Sequence, residues 1–163
     1  MAANGEADTA TPAKQQMKWN NVILLTVIHL LALYSLLVVV PRAKLITVLW
    51  DLLYGIVGGI GVTAGAHRLW THRSYKAKLP LRIILAGLYL EAGMNPLFEW
   101  VRDHRVHHKF SDTDADPHNA SRGLFFSHVG WLMQKKHPQV LRRGREVDMS
   151  DILADPVIRF QQK

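Results

Sequence analysis

The sequence contains no cysteine. Disulfide frameworks, cysteine-ligated zinc fingers and iron–sulfur clusters are therefore excluded. Acidic residues are also sparse, since 13 Asp and Glu stand against 20 Lys and Arg, for a formal net charge of +7. This charge is compatible with nucleic acid, an anionic membrane surface or a phosphorylated substrate, and by itself it does not choose among them. Inspection of the sequence finds no cleavable signal peptide, no internal repeat and no His-Glu-x-x-His zinc-protease motif.

Charged residues are also missing from a long apolar run, residues 22–40, in which His29 is the only readily ionisable side chain. About 20 mostly apolar residues are enough to cross a bilayer, so the run predicts a spanning helix, with a buried helix of a soluble protein as the alternative. A second apolar run, residues 45–66, contains one charge, Asp51, and several glycines. Small residues at that density permit close helix contact or leave a groove. The two runs together predict a transmembrane helical hairpin.

The predicted fold class is therefore an all-α integral membrane protein with three regions. Residues 1–18 are small and polar and predict a disordered tail, residues 19–66 hold the hairpin, and residues 67–163 form a cytosolic and interfacial region. Lys and Arg are concentrated in the tail and in the third region rather than in the hairpin loop. The positive-inside bias therefore places the N-terminus and the third region in the cytosol.

Residues 79–94 are apolar but are interrupted by Pro80, Arg82 and Glu91. The stretch is short for a span and predicts a re-entrant or interfacial helix beside the hairpin. Glu91 has two interpretations, a polar contact in a channel or a carboxylate that reaches the membrane interface. A polar, mostly helical stretch follows, in which the Asp, Pro, Asn, Ser and Gly content of residues 112–123 predicts a loop.

Five of the nine histidines lie in two short runs, each of which follows apolar sequence. The runs are His67-Arg68-Leu69-Trp70-Thr71-His72 and His104-Arg105-Val106-His107-His108. On a helix the three histidines of the second run fall within one turn, and we expect all of them to face one volume. His67 and His72 converge only if their helix ends or bends between them, because five residues cover about 140° of an α-helix.

Five imidazoles exceed what a tetrahedral structural zinc requires, and they suit a site with two metals or one with an unusually imidazole-rich shell. An iron pair with nitrogen ligands activates dioxygen, whereas zinc has no redox chemistry. Beside a bilayer, an alkyl chain is the natural substrate of such an oxidant. The isolated histidines His29, His128 and His137 are interpreted as hydrogen-bonded surface residues instead.

Both runs lie within longer segments that resemble those of a known protein family. The first reads Gly65-Ala66-His67-Arg68-Leu69-Trp70-Thr71-His72-Arg73-Ser74-Tyr75, and the second reads Glu99-Trp100-Val101-Arg102-Asp103-His104-Arg105-Val106-His107-His108-Lys109. Two more are Asp114-Ala115-Asp116-Pro117-His118-Asn119 and Phe126-Ser127-His128-Val129-Gly130-Trp131-Leu132. These segments resemble the first two histidine boxes, and the stretch after them, of membrane-bound acyl-CoA desaturases of the stearoyl-CoA desaturase type, nearest to insect enzymes. The resemblance runs from about residue 18 to the end.

The resemblance implies a di-iron enzyme of the endoplasmic reticulum membrane that places a cis double bond in a fatty acyl-CoA. Such an enzyme uses dioxygen and two electrons, which are delivered through cytochrome b5 and its NADH-dependent reductase. A lipid bilayer is then its surroundings, and nucleic acid is not expected as a partner. The implied ligands of the two iron ions are His67, His72, His104, His107 and His108.

The resemblance also implies residues that hold the substrate. Those near the thioester and head group are Asn21, Asn95, Arg102 and Asp103, those near the CoA are Lys135 and Lys136, and the one at the bend of the acyl tunnel is Trp100. Cationic side chains suit CoA phosphates, and an indole presents a large apolar wall to a lipid chain. Anionic lipid is the alternative ligand of the lysine pair, and helix packing is the alternative role of the tryptophan.

Members of this family carry a third histidine box within a second pair of membrane helices, and neither feature is found before Lys163. We therefore expect this chain to be an N-terminal fragment that is inactive alone. Two other functions stay open: a membrane fatty-acid hydroxylase on the same kind of iron site, and a non-catalytic membrane protein that binds lipid or another subunit. A basic nucleic-acid binder is the least favoured function, because the two spans place its charge against a bilayer.

Overall fold

A computed structural model describes residues 15–162, and this part of the chain is helical with no β-strand. The α-helices, in chain order, are α1 (Trp19–Tyr34), α2 (Leu45–Ile60), α3 (Leu79–Glu91), α4 (Leu97–Lys109), α5 (Leu124–His128), α6 (Pro138–Glu146), α7 (Ser150–Ala154) and α8 (Pro156–Gln161). π-Helical segments cover Ser35–Val39 and Gly61–Thr71, and short 3-10 helices cover Val40–Arg42, Ala120–Arg122 and Gly130–Met133. The predicted all-α fold class is confirmed for the described residues.

Two helical stretches are long and apolar enough to cross a membrane, Trp19–Arg42 and Leu45–Thr71. No residue of α1 is buried, and side chains such as Leu30, Leu36 and Leu52 are more than half exposed. Exposed apolar surface on this scale is suited to lipid rather than to water. The second stretch continues five residues beyond its predicted end at residue 66, so the first histidine run begins inside the helix instead of after it.

Glycines on the second stretch allow α3 to lie directly against its backbone. A Cβ atom at Gly61 would come within 2.2 Å of the Tyr89 backbone nitrogen, and one at Gly58 within 3.3 Å of the Ala92 backbone nitrogen. At Gly59 a Cβ atom would meet nothing within 4 Å. Of the two consequences predicted for the glycines, close helix contact is therefore the one found at Gly58 and Gly61.

The helix α3 is too short to cross a bilayer, since 13 residues rise only about 20 Å. Pro80 lies in its first turn, where a missing N–H costs nothing, and Gly93 follows its end with a left-handed φ of 61°. Glu91, in the last turn, accepts a hydrogen bond from the Tyr54 hydroxyl on α2. The carboxylate is therefore a polar contact between two helices at this position.

A small core lies behind the histidine runs and connects them to the C-terminal helices. Its buried members are Ala66, Leu69, Trp70, Leu85, Ala86, Tyr89, Leu97, Val101, Met149, Ile152 and Ile158. Ile152 on α7 and Ile158 on α8 are 1% and 0% exposed. Both short helices are thus fixed against the part of the chain that carries the histidines.

The last four residues of the predicted disordered tail, residues 15–18, pair with a segment far along the chain. Met17 and Gln134 form an antiparallel bridge. The Lys18 backbone N–H donates to the Met133 carbonyl over 2.7 Å, and backbone pairing therefore replaces hydration in this segment. Residues 1–14 of the predicted disordered tail lie outside the described residues.

Candidate metal centre

Four histidines from the two runs meet at one point and are named the four-histidine cluster. Their candidate ligand nitrogens all lie within 4.8 Å of one another, and the members are His67, His72, His104 and His108. The ring centroids of His67 and His72 are 4.5 Å apart, and those of His67 and His104 are 4.8 Å apart. Nε2 of His104 lies 3.1 Å from Nε2 of His108. A set of imidazole nitrogens at this spacing fits a transition-metal ion.

The π-helical segment Gly61–Thr71 explains how two histidines five residues apart face the same point. Hydrogen bonds in a π-helix run between residues i and i+5, so residues at that spacing lie one above the other. The His72 backbone N–H donates to the His67 carbonyl over 3.0 Å, and the helix ends at Thr71. A helix end or a bend was expected to bring His67 and His72 together. The structure instead brings them together by π-helical winding, which continues to the end of the helix.

Desolvation keeps the cluster histidines of α4 neutral. Burial and the neighbouring imidazoles, led by that of His108, lower the pKa of His104 to about 3. Partial desolvation and the imidazole of His72 also lower the pKa of His108. A neutral imidazole offers the lone pair that a metal needs, so these two side chains do not have to lose a proton before an ion binds at neutral pH.

His107 lies beside the four-histidine cluster but is not grouped with it. Its ring centroid is 5.8 Å from that of His104 and 5.4 Å from that of His108. Its Nδ1 lies 2.8 Å from Oδ1 of Asp116, whose side chain is fully buried. Asp116 also accepts hydrogen bonds from the backbone N–H groups of Asp112 and His118. The loop after α4 thus provides a fixed acceptor that turns the ring, and Nε2 remains the nitrogen available for an ion.

Trp100 lies on α4 one turn before His104 and contacts the four-histidine cluster. Its ring stacks on that of His104, with centroids 4.7 Å apart and planes inclined by 21°. It also approaches His67 edge-on, at 6.5 Å between centroids. The indole therefore packs within the site and presents an apolar wall beside the candidate ligands, and its role at the bend of an acyl tunnel stays a prediction.

A polar pocket of about 140 Å³ brings together three of the predicted substrate residues, Arg102, Asp103 and Lys136. Asp103 is 4% exposed and accepts from the Lys136 ammonium and, over 3.2 Å, from Nη2 of Arg102. Arg145, which sequence reasoning did not single out for this site, also lines the pocket. Three cations around one carboxylate leave a positive charge that suits phosphate groups.

Besides Trp100, three predicted substrate residues lie outside this pocket, namely Asn21, Asn95 and Lys135. Asn21 donates from Nδ2 to the Leu132 carbonyl over 2.8 Å, and Lys135 donates from Nζ to Oε1 of Gln16 over 2.7 Å. Asn95 is exposed in the turn before α4. The first two contacts hold the start of α1 against the 130–135 segment, and a substrate role for all three stays a prediction.

Two aspartates, Asp151 and Asp155, accept hydrogen bonds from side chains in or next to the histidine runs. The sequence did not predict either contact. Asp151 accepts hydrogen bonds from Arg105 over 2.8 and 2.9 Å and from Arg73 over 2.9 Å. Asp155 accepts from Nε1 of Trp70 over 3.0 Å. These partners are between 46 and 85 residues away along the chain. No local pattern marks such pairs, so only the fold reveals them.

Comparison with known proteins gives a consistent result. The fatty acid desaturase family model matches residues 42–154. The chain is 59% identical over 150 residues to stearoyl-CoA desaturase 5 of Bos taurus, covering 92% of this chain and 44% of that protein. It is 56% identical over 158 residues to stearoyl-CoA desaturase 5 of Homo sapiens, covering 97% and 48%. It is 53% identical over 152 residues to acyl-CoA Delta-9 desaturase of Acheta domesticus, covering 93% and 42%.

The chain therefore spans less than half the length of these relatives. The two mammalian proteins are more identical to it than the cricket protein, so the comparison does not single out the insect type. The family match covers more than half of the chain and includes both histidine runs. On sequence similarity and on the site that the structure assembles, the chain belongs to the fatty acid desaturase family.

Proposed function

We propose that this chain acts in fatty acyl-CoA desaturation, placing a cis double bond in an acyl-CoA with dioxygen and two electrons. The observation that carries the proposal is the four-histidine cluster at the end of the second membrane helix, next to Trp100 and the basic pocket. Relatives named stearoyl-CoA desaturase and acyl-CoA Delta-9 desaturase support stearoyl-CoA as the first substrate to test and the Δ9 bond as the first position to look for.

Iron is the metal proposed for the histidines. The four-histidine cluster would hold one ion, and His107, oriented by Asp116, would be a ligand of a second. Other ligands of the second ion are not grouped with His107 in residues 15–162. When bound, an iron pair supplies the redox chemistry that activates dioxygen. The chain's own contribution is to present neutral imidazoles and to cover the ring of His104 with Trp100, which excludes water from that face.

The substrate is proposed to lie along α4. This helix carries Trp100, then Arg102 and Asp103, and then His104, so the apolar wall, the basic pocket and the candidate ligands follow one another within two turns. Phosphates of the CoA would bind in the pocket, and the acyl chain would pass the indole. Loss of one hydrogen atom from each of two adjacent methylene groups, together with two electrons and two protons, would reduce dioxygen to two water molecules.

The protein is proposed to lie in the endoplasmic reticulum membrane, with the N-terminus and both histidine runs facing the cytosol. The two apolar helices support a membrane location, and the excess of Lys and Arg outside the hairpin loop supports this orientation. On that side, cytochrome b5 and its NADH-dependent reductase would deliver the electrons.

Expression in yeast that lacks its own fatty acid desaturase tests the proposal. Both this chain and the longest coding sequence that contains it should be expressed, and total fatty acids analysed by mass spectrometry with double-bond location. We expect the longest form to yield cis-monounsaturated acids and to allow growth without added oleate. His104→Ala should abolish the product, because it removes one cluster ligand, whereas His128→Ala, which changes an exposed histidine outside the cluster, should retain it.

Other products would identify the competing functions. Hydroxylated fatty acids in place of unsaturated ones would show a hydroxylase on the same kind of site. A purified longest form that contains no iron and gives no product would contradict the desaturase proposal and favour a non-catalytic lipid-binding protein.

A further inference from the structure

We propose that Arg105 and Asp151 form a clamp that sets the distance between the two histidine runs, and that both act as positioning residues for the four-histidine cluster. The inference rests on the metal site of the proposed function. Neither side chain belongs to the cluster itself. The effect would therefore be exerted through the backbone and side chains that the clamp holds.

Arg105 is the centre of the clamp on α4, directly after His104. Its side chain is only 10% exposed. Its guanidinium donates hydrogen bonds both to the segment around α7 and to the first histidine run. Nη1 donates to Asp151 Oδ1 over 2.9 Å and to the Asp148 carbonyl over 2.7 Å. Nη2 donates to Asp151 Oδ2 over 2.8 Å and to the Trp70 carbonyl over 2.7 Å. The second histidine run is thereby bonded directly to the backbone of the first.

Asp151 closes the clamp from α7. Besides its two bonds from Arg105, it accepts from Nε of Arg73 over 2.9 Å, and Nη2 of Arg73 lies 2.8 Å from Oδ1. Arg73 follows His72 and has a left-handed φ of 52°, which is uncommon for a residue with a side chain. One carboxylate thus holds the residue after His72 and, through Arg105, the residue after His104.

The clamp is fixed independently of the histidines. Ile152, next to Asp151 on α7, is 1% exposed in the core, and Met149 is 7% exposed. Metal binding needs ligand positions that are correct to a few tenths of an ångström, and partners outside the ligand shell commonly contribute 10–100-fold to metal affinity. A bidentate arginine–carboxylate pair is well suited to this role because two parallel bonds fix an angle as well as a distance.

Metal titration of the 163-residue chain in lipid nanodiscs tests the inference, with Co²⁺ as the probe and its ligand-field absorption as the signal. We expect Asp151→Asn to weaken Co²⁺ binding about 10–100-fold and to alter the absorption bands. Arg105→Lys keeps the charge but loses the two parallel bonds, and it should have an effect of the same kind. The double variant should lose less than the product of the two single losses, because both remove one interaction.

Two controls separate positioning from general stability. Asp148→Asn changes a neighbouring exposed carboxylate, which accepts from Ser150, and it keeps the backbone carbonyl that accepts from Arg105. This variant should bind Co²⁺ as the unaltered chain does. Ile152→Val weakens the packing of α7 and should lower the melting temperature while leaving the Co²⁺ spectrum unchanged.

The possible outcomes are distinct. Unchanged Co²⁺ affinity and spectrum in folded Asp151→Asn or folded Arg105→Lys would overturn the clamp while leaving the metal site intact. If Asp151→Asn does not fold, Arg105→Lys decides, and helix content measured by circular dichroism identifies which variants are folded. Absence of Co²⁺ binding by the unaltered chain would instead contradict the proposed metal site and, with it, the clamp.

Discussion

Buried carboxylates in the described part of this protein lie where a cation or a histidine meets them. Asp103 contacts Arg102 and Lys136, and Asp116 contacts His107. An unpaired carboxylate at such sites would be costly, because burial removes the water that stabilises its charge. The acidic residues, although few, therefore determine where the basic and imidazole side chains around the site point.

At the residue scale, Asp151 makes folding sensitive to acid. Burial alone would raise its pKa, but hydrogen bonds from Arg105 and Arg73 lower the pKa of Asp151 to about 2, below the value of about 3.9 typical of an unfolded chain. Folding therefore favours the ionised form. The resulting stabilisation is present above about pH 4 and is lost as the pH falls from about 4 to about 2.

Denaturant unfolding in detergent, measured over this pH range for the unaltered chain and for Asp151→Asn, checks the prediction. We expect the unaltered chain to be more stable at neutral pH and the difference between the two to shrink as the pH approaches 2. A difference that stays constant down to that pH would show that ionisation of Asp151 does not contribute.

The residue types at the site could be predicted from the sequence, whereas their directions could not. Spacing on one helix correctly placed His104 and His108 together, because residues four apart are neighbours on any α-helix. The same reasoning did not predict the contact between His107 and Asp116, because a loop brings Asp116 into place. The roles found for Asp151 and Asp155 depend on tertiary contacts alone.

At the scale of elements, length and lack of charge predicted the two membrane helices, because both properties are local. The winding of the second helix was not predictable in the same way. Its π-helical part, Gly61–Thr71, coincides with the place where α3 packs against Gly61 and where Thr71 and His72 leave the helix. A change in helix type at such a point depends on packing that periodicity does not encode.

Close packing at Gly61 makes this glycine the most sensitive one on the second helix. Gly61→Ala would place a Cβ atom 2.2 Å from the Tyr89 backbone nitrogen, and backbone cannot move aside as a flexible side chain does. We expect the variant to lower the free energy of unfolding by about 1–3 kcal/mol, as overpacking does. Thermal or denaturant unfolding in detergent measures the effect.

Gly59→Ala is the matched control, because a Cβ atom there meets nothing within 4 Å. Its stability should be unchanged or slightly higher, since alanine is favoured over glycine within a helix. Equal destabilisation by both substitutions would show that helix propensity, and not contact with α3, governs the result.

At the scale of the whole molecule, if both apolar helices cross a bilayer as proposed, the short 43–44 connection between them would place residues before Trp19 and after Thr71 on the same side. The described structure agrees with this arrangement, because Met17 pairs with Gln134 far along the chain. The proposal that this side faces the cytosol rests on the distribution of Lys and Arg, and thiol labelling tests it directly.

A chain without cysteine is well suited to that measurement, since one introduced thiol is the only labelling site. In sealed microsomes with their cytosolic face outward, Arg142→Cys on α6 should react with a membrane-impermeant maleimide. Lys44→Cys, in the hairpin connection, should react only after detergent is added. Both positions are exposed in the structure, so buried thiols do not complicate the comparison. The reverse labelling pattern would contradict the proposed orientation.

The wider winding of Gly61–Thr71 also means that the first half of the metal centre depends on chain length as much as on residue identity. His67 and His72 share a direction because their spacing of five residues matches the spacing of hydrogen-bonded residues in this segment. Removing a single residue between them would leave a spacing of four, which matches α-helical winding instead. The two imidazoles would then keep one direction only if this segment changed from π-helical to α-helical winding.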